Sequence, residues 1–89
     1  MSIARRFGQN LVRLRKQAGL SQEELGFLAN LHRTEVGMLE RGIRLPRIDT
    51  LLKLKGSLEV SADELLEGLE WRPAPPPPAG HFQTRDDEA

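Results

Sequence analysis

Apolar residues recur along the first part of the chain at the three- and four-residue spacing of helices that bury one face. The first run is Ile3, Phe7, Leu11, Leu14 and Ala18. Because these steps keep the side chains on one side of a helix of 3.6 residues per turn, the run predicts an amphipathic helix. The residue after it, Gly19, predicts where that helix ends.

A second and shorter helix is predicted to begin at a capping box. Ser21 is its expected N-cap and Glu24 occupies the third helical position, while Leu20 and Leu25 have the spacing of a hydrophobic staple. Asn30 tolerates the left-handed conformation in which helices end. The pattern therefore predicts a helix that ends at Asn30.

A third helix is predicted to follow at once, through a tight turn. Leu31 and Val36 form a second staple around His32, the expected N-cap. Val36 and Leu39 are predicted to face inward, and Gly42 closes the helix. Two short helices joined in this way indicate a helix-turn-helix, whose second helix enters the DNA major groove.

Two further helices are predicted beyond a loop at residues 42–47. The inner face of the fourth is expected to carry Ile48, Leu51, Leu52, Lys55 and Leu58. The fifth begins at a capping box of Ser61 and Glu64, with Val60 and Leu65 as its staple and Leu65, Leu66 and Leu69 as its apolar positions. Five short helices without a strand pattern predict an all-α domain over residues 1–71.

A change in composition marks the end of that domain. Residues 72–80 contain five of the six prolines. A proline run cannot continue a helix and favours an extended chain, so residues 72–89 are predicted to be a Pro-rich flexible tail. Such segments also bind aromatic-lined grooves, which leaves a protein partner at the tail open.

Short motifs spread over residues 3–69 resemble the XRE family of phage-repressor-like helix-turn-helix regulators. They are Leu14-Arg15, residues 19–25, Leu39-Glu40-Arg41-Gly42, Pro46, residues 51–54, Leu58, Val60-Ser61 and Glu64-Leu65-Leu66. Their order and spacing carry the resemblance. It implies a five-helix, lambda-repressor-like helix-turn-helix DNA-binding domain and a transcriptional regulator.

Charge is distributed unevenly although the formal net charge is zero. Residues 1–47 hold nine Lys and Arg against four Asp and Glu, a balance of +5, and residues 48–71 hold two against six, a balance of −4. The basic half therefore contains the helix-turn-helix, as DNA binding requires.

Composition excludes several other classes of function. Without cysteine there is no disulfide or thiolate chemistry, and two histidines far apart give little basis for a metal site. We therefore expect no metal and no cofactor. No apolar run approaches the ~20 residues of a membrane span, and no signal peptide is evident, so a cytoplasmic protein is expected. No catalytic set is recognisable either, so an enzyme is not predicted.

The predicted base contacts lie on the third helix, away from its buried side chains. They are Arg33, Thr34, Glu35, Gly37 and Met38. Arg33 is the foremost candidate, since arginine can contact guanine through two hydrogen bonds. Glu35 can accept from cytosine, but a capping box with the His32 backbone N–H is the preferred interpretation. For His32, a phosphate contact and weak capping both stay open.

The predicted phosphate contacts surround that helix. They are Gln22, Arg41, Arg44 and Arg47. For Gln22, the resemblance implies a phosphate contact and a side chain that supports the first residue of the recognition helix. It also implies that Arg15 and Glu40 form a structural ion pair between the first and third helices.

Four residues depart from the pattern of that family. Gly26 replaces the usual alanine and is expected to weaken its helix by ~1 kcal/mol. Lys55 occupies an inner-face position, where its stem can lie along the edge of the core. Phe27 and Leu28 are apolar where the family is commonly polar, which indicates an exposed patch, a contact with the first helix or a partner surface.

One such domain contacts few base pairs, so a homodimer on a near-palindromic operator is expected. Leu65, Leu69 and Trp71 are the candidate dimer contacts. Related alternatives are a controller protein of a restriction–modification system and an antitoxin whose tail binds a toxin. A protein-interaction module on the same fold is the alternative from another class.

Overall fold

The first helix, α1, spans Ile3–Gln17 and carries the central face of the core. The protein is described by a computed structural model over residues 2–85. The Ser2 hydroxyl caps α1 by accepting from the Arg5 backbone N–H at 3.1 Å. Phe7, Leu11 and Leu14 are buried along one side, as their spacing predicts.

The two helices of the helix-turn-helix are α2, Gln22–Ala29, and α3, Arg33–Glu40. The predicted capping box opens α2, and Asn30 ends it in the left-handed conformation with φ at 54°. The staple residues Leu20 and Leu31 pack against the core. Both helices contact each other closely, and α3 also packs on α1.

Helix α4 spans Ile48–Leu58, and its buried face differs from the prediction. Leu54 and Leu58 are buried with Leu51 beside them, whereas Ile48 and Leu52 are 72% and 61% exposed. Lys55, which the prediction also placed on the inner face, is exposed as well. The stripe that faces the core is therefore 51, 54 and 58, which has the spacing of one helical face.

A single helical turn, α5 at Ala62–Leu65, follows the predicted capping box of Ser61 and Glu64. Asn10 of α1, which is fully buried, holds the end of this turn. Its side-chain amide donates to the backbone carbonyl oxygens of Leu65 and Glu67, both at 2.9 Å.

The chain then forms an antiparallel hairpin that the sequence interpretation did not include. Strand β1 spans Leu69–Pro73 and β2 spans Gly80–Thr84, with Trp71 opposite Phe82. The expected boundary after residue 71 thus falls inside β1, and residues 72–85 are not the unstructured tail that the prolines suggested. Residues 86–89 of that tail lie outside the described residues.

Aromatic packing explains how this hairpin forms across a proline run. The Trp71 and Phe82 rings lie edge to face with their centroids 5.0 Å apart, an arrangement that stabilises cross-strand pairs. The Trp71 indole also covers Gly80 so closely that a Cβ there would overlap it. The prolines fall at the end of β1 and in the loop of residues 74–79, where no ladder hydrogen bond is required of them.

The fold is therefore the predicted five-helix, repressor-like arrangement with a small two-stranded sheet added at its C-terminal end. Within residues 2–85, no helix combines the length and apolar character needed to cross a membrane.

Candidate nucleic-acid interface

Helix α3 presents its N-terminal residues to solvent while its middle is fixed in the core. Val36 and Leu39 are at most 1% exposed. His32 caps the helix, because its Nδ1 accepts from the Thr34 backbone N–H at 3.1 Å. Arg33 and Thr34 are exposed at the start of the helix, where a recognition helix meets base edges.

The other predicted base-contact residues are less accessible. Met38 is half-buried. Gly37 is buried, and a Cβ there would lie 3.8 Å from the side chains of Gln22 and Arg41. Gly37 therefore lies beneath these two side chains, one of which belongs to α2. The sequence interpretation had placed it on the exposed face of α3.

Glu35 does not form the capping box that the sequence interpretation preferred. Its carboxylate lies 3.8 Å from the Arg44 guanidinium, and the side chain that caps α3 is His32. Glu35 therefore reaches toward the loop after α3. The His32 imidazole provides the acceptor expected from an N-cap residue.

The predicted phosphate contacts lie in the segments that precede and follow α3 in the chain. They are Gln22 at the start of α2, Arg41 at the C-cap of α3, Arg44 in the following loop and Arg47 at the N-cap of α4, and all four are exposed. Gln22 lies beside the C-terminal end of α3, because its amide reaches Glu40, and Arg41 lies at that same end. Amide and guanidinium donors suit contacts with the DNA phosphate backbone.

The Arg15–Glu40 ion pair fixes the recognition helix to α1. Arg15 donates to the Glu40 carboxylate through Nε at 2.6 Å and through Nη2 at 3.1 Å. The hydrogen bond with Glu40 raises the pKa of Arg15, and burial opposes it. The Arg15 Nη1 also donates to the Leu20 carbonyl oxygen at 2.8 Å, so one guanidinium holds three segments together.

Gln22 takes part in this network and not in the support of Arg33 that the family resemblance implied. Its amide nitrogen donates to the Glu40 carboxylate at 2.8 Å. The residue beside it, Glu23, is the one that reaches Arg33, with 3.7 Å between Oε2 and Nη1. The contact with Arg33 that was predicted for Gln22 is therefore made by its neighbour, Glu23.

Two glycines allow backbone segments to approach where a side chain would collide. A Cβ on Gly8 of α1 would overlap the Glu40 carbonyl oxygen. A Cβ on Gly26 of α2 would lie 2.6 Å from the Leu31 carbonyl oxygen. Gly26 thus does more than weaken its helix, because it lets the turn between α2 and α3 close tightly.

The three candidate dimer contacts differ in how exposed their side chains are. Leu65 is fully buried and belongs to the core, because its side of α5 faces α1 and α4, so it is not available to a partner. Leu69 packs against the core, whereas Trp71 is 52% exposed. Phe82, which sequence reasoning did not single out, is exposed beside it.

These aromatic rings border an apolar groove of about 310 Å³. Its lining includes Ile3, Leu45, Leu51 and Leu66, together with both rings. In α2, Phe27 and Leu28 are 87% and 56% exposed, in agreement with the exposed patch among the sequence interpretations.

Comparison with known proteins supports the geometric description. The family model described as helix-turn-helix matches residues 11–65. The uncharacterized HTH-type transcriptional regulator y4dJ of Sinorhizobium fredii is 36% identical over 82% of this chain and 95% of its own length.

Two solved structures share the fold. One is the restriction-modification controller protein C.AhdI from Aeromonas hydrophila, with 45% identity, coverage of 70% of this chain and 94% of that one, and a TM-score of 0.68. The other is the P22 c2 repressor in complex with a synthetic operator, with 29% identity, coverage of 70% and 94%, and a TM-score of 0.65. The chain therefore belongs to the helix-turn-helix family of transcriptional regulators.

Proposed function

We propose that this protein binds a specific DNA sequence and regulates transcription from it in the cytoplasm, by binding and without catalysis. The observation that carries the proposal is the exposed N-terminal turn of α3. In this turn Arg33 and Thr34 are exposed to solvent, while Val36 and Leu39 on the opposite face of the helix are buried in the core. The P22 c2 repressor, which has the same fold, was solved with operator DNA.

In this proposal the residues around α3 divide into two groups. Arg33, Thr34, Glu35 and Met38 contact base edges, and Arg33 reads a guanine through two hydrogen bonds. Gln22, Arg41, Arg44 and Arg47 contact phosphates, which positions the helix without specifying sequence.

The proposal includes a homodimer on a near-palindromic operator. Two copies whose recognition helices lie about 34 Å apart contact two half-sites one helical turn apart. The exposed rings of Trp71 and Phe82, and the apolar groove beside them, favour this end of the molecule as the contact between copies. Light scattering at high micromolar concentration, with and without DNA, measures the mass; a monomer in both conditions would contradict this part.

Selection from a random duplex pool tests the central claim. Purified protein is mixed with the pool at about 0.15 M salt, and the retained DNA is sequenced. An enriched motif with two-fold symmetry is expected. If folded protein enriches nothing, sequence-specific DNA binding is wrong.

Substitution of Arg33 then tests the proposed base contact. We expect Arg33→Ala to weaken binding to the enriched sequence by about 1–3 kcal/mol and to relax selection at one position of each half-site. Arg13→Ala is the matched control, because Arg13 is also an exposed arginine in an ion pair but lies on α1. Equal losses in the two variants would show that Arg33 contributes only charge.

A controller of a restriction–modification system is the more specific candidate. It is favoured by the 45% identity to C.AhdI, which extends over 94% of that protein. The enriched sequence is then expected upstream of this protein's own gene and near genes for a restriction enzyme and a methyltransferase. An antitoxin would instead have a toxin gene beside it.

The alternative of a protein-interaction module predicts a different salt dependence. DNA binding through several phosphate contacts weakens steeply as salt rises, whereas an apolar protein interface does not. Exposed Phe27 and Leu28 are the surface that such a module would use.

A further inference from the structure

Acidic side chains accompany most of the cations on the proposed DNA-binding face. The pairs are Arg33 with Glu23 at 3.7 Å, Arg44 with Glu35 at 3.8 Å and Arg47 with Asp49 at 3.5 Å. Among the three arginines that we propose to contact phosphates, Arg41 has no acidic partner of this kind within residues 2–85. The face therefore carries its own counter-ions.

These pairs can open readily when another anion arrives. The Arg33 and Glu23 side chains are 69% and 79% exposed, and those of Arg47 and Asp49 are 85% and 59% exposed. Their N–O distances exceed the usual hydrogen-bond range of about 2.7–3.2 Å. Exposed pairs of this type contribute little stability, so DNA groups can replace the carboxylates.

We infer that Glu23 is a positioning residue for DNA recognition, which holds Arg33 over the start of α3 and competes for it with phosphates of unrelated DNA. The inference rests on the proposed function. Glu23 contacts one amino group of a guanidinium that has five N–H donors, so the others stay available to a base. Asp49 restrains Arg47 in the same way at the start of α4.

Two kinds of complex then differ in what happens to Arg33. On an operator, guanine offers two acceptors and replaces the carboxylate. On unrelated DNA, Arg33 can only exchange the carboxylate for a phosphate, so one charge contact replaces another and no base contact is gained. Glu23 therefore lowers non-specific affinity more than specific affinity, and specificity increases.

Charge-neutral variants test this with the full chain. The probes are two duplexes of about 20 base pairs, one with the enriched sequence and one of random sequence, titrated by fluorescence anisotropy between about 50 and 200 mM salt. The variants are Glu23→Gln and Asp49→Asn. Glu67→Gln is the control for net charge, because Glu67 pairs with Arg13 outside the helix-turn-helix.

We expect Glu23→Gln to bind the random duplex about two- to fivefold more tightly than Glu67→Gln does. Its log–log salt slope on that duplex is expected to steepen by about 0.9, the contribution of one added phosphate contact. On the enriched sequence the slope is expected to match that of the wild type. Asp49→Asn, which frees a phosphate-contacting arginine, is expected to steepen both slopes.

Each outcome has a distinct meaning. If Glu23→Gln and Glu67→Gln give the same affinity and slope on the random duplex, Glu23 does not restrain Arg33, although the regulator proposal stands. If the wild type binds neither duplex, both proposals are wrong. Equal unfolding midpoints of the variants in urea show that the comparison reports on binding and not on folding.

Discussion

Removing one partner of the Arg15–Glu40 pair should destabilise the protein more than removing both. The two side chains are 12% and 4% exposed and share two hydrogen bonds. Loss of one partner leaves an uncompensated buried charge, at a cost of about 3–5 kcal/mol. A chain of 89 residues has a total stability of about 4–13 kcal/mol, so either single change removes much of it.

The two single variants should lose different amounts of stability, because each leaves a different charged group without its partner. In Arg15→Met, the Glu40 carboxylate keeps the neutral Gln22 amide as a donor. In Glu40→Met, the Arg15 guanidinium keeps the Leu20 carbonyl and has more access to solvent. Arg15→Met is therefore expected to cost more, and the double variant is expected to recover most of the loss, since apolar side chains of similar volume can fill the site.

Urea unfolding followed by circular dichroism measures this double-mutant cycle. With a slope of about 1.5 kcal/mol per molar urea, a loss of 3 kcal/mol lowers the midpoint by about 2 M. If each single change costs about 3 kcal/mol and the double variant about 1 kcal/mol, the coupling energy is about 5 kcal/mol. The exposed Arg13–Glu67 pair is the control, with an expected coupling below about 1 kcal/mol. Additivity within about 0.5 kcal/mol at Arg15 and Glu40 would refute the proposed scaffold role.

Two further predictions concern backbone approach and pH. Gly8→Ala should lower the free energy of unfolding in urea by about 1–3 kcal/mol, because its Cβ would meet backbone atoms of Leu39 and Glu40. Gly56→Ala, in the open part of α4, should raise the free energy of unfolding by about 0.5–1 kcal/mol. A change of the same sign in both variants would contradict this reasoning. The Ser21 backbone N–H, and then its hydroxyl, lower the pKa of Glu24, so the stability that this group contributes is present above its ordinary pKa of 4.5 and is lost as pH falls through the folded-state pKa. Glu24→Gln, which does not titrate, should therefore lose less stability than the wild type between about pH 6 and pH 3, and equal losses would count against it.

Local signals made the helix-turn-helix predictable from sequence. The capping boxes at Ser21 and Ser61 each need only residues three positions apart, and both form as expected. Asn30 ends α2 through its own backbone preference. Such features depend on neighbours in the chain, so they can be recognised before the tertiary structure is known.

The buried face of α4 and the hairpin depend on distant partners. Apolar residues cover much of α4, so its periodicity does not decide between Leu52 and Leu54, and contacts with α2 and α5 bury Leu54. Trp71 and Phe82 pair across a proline loop, and aromatic residues at both ends are the only local sign of strands. The buried amide of Asn10, which holds the turn before the hairpin, likewise has partners more than 50 residues away.

Burial separates two groups of ion pairs that the sequence does not distinguish. Arg15–Glu40 and Arg33–Glu23 are both arginine–glutamate pairs, but the first is at most 12% exposed and the second at least 69%. In the buried pair, the removal of either charge is costly and water cannot replace the partner, so the pair fixes the position of α3. In the exposed pair, solvent screens the attraction and a base or a phosphate can take the place of the carboxylate. The same chemistry therefore serves as a scaffold beneath the recognition helix and as an exchangeable contact at the end that we propose contacts DNA.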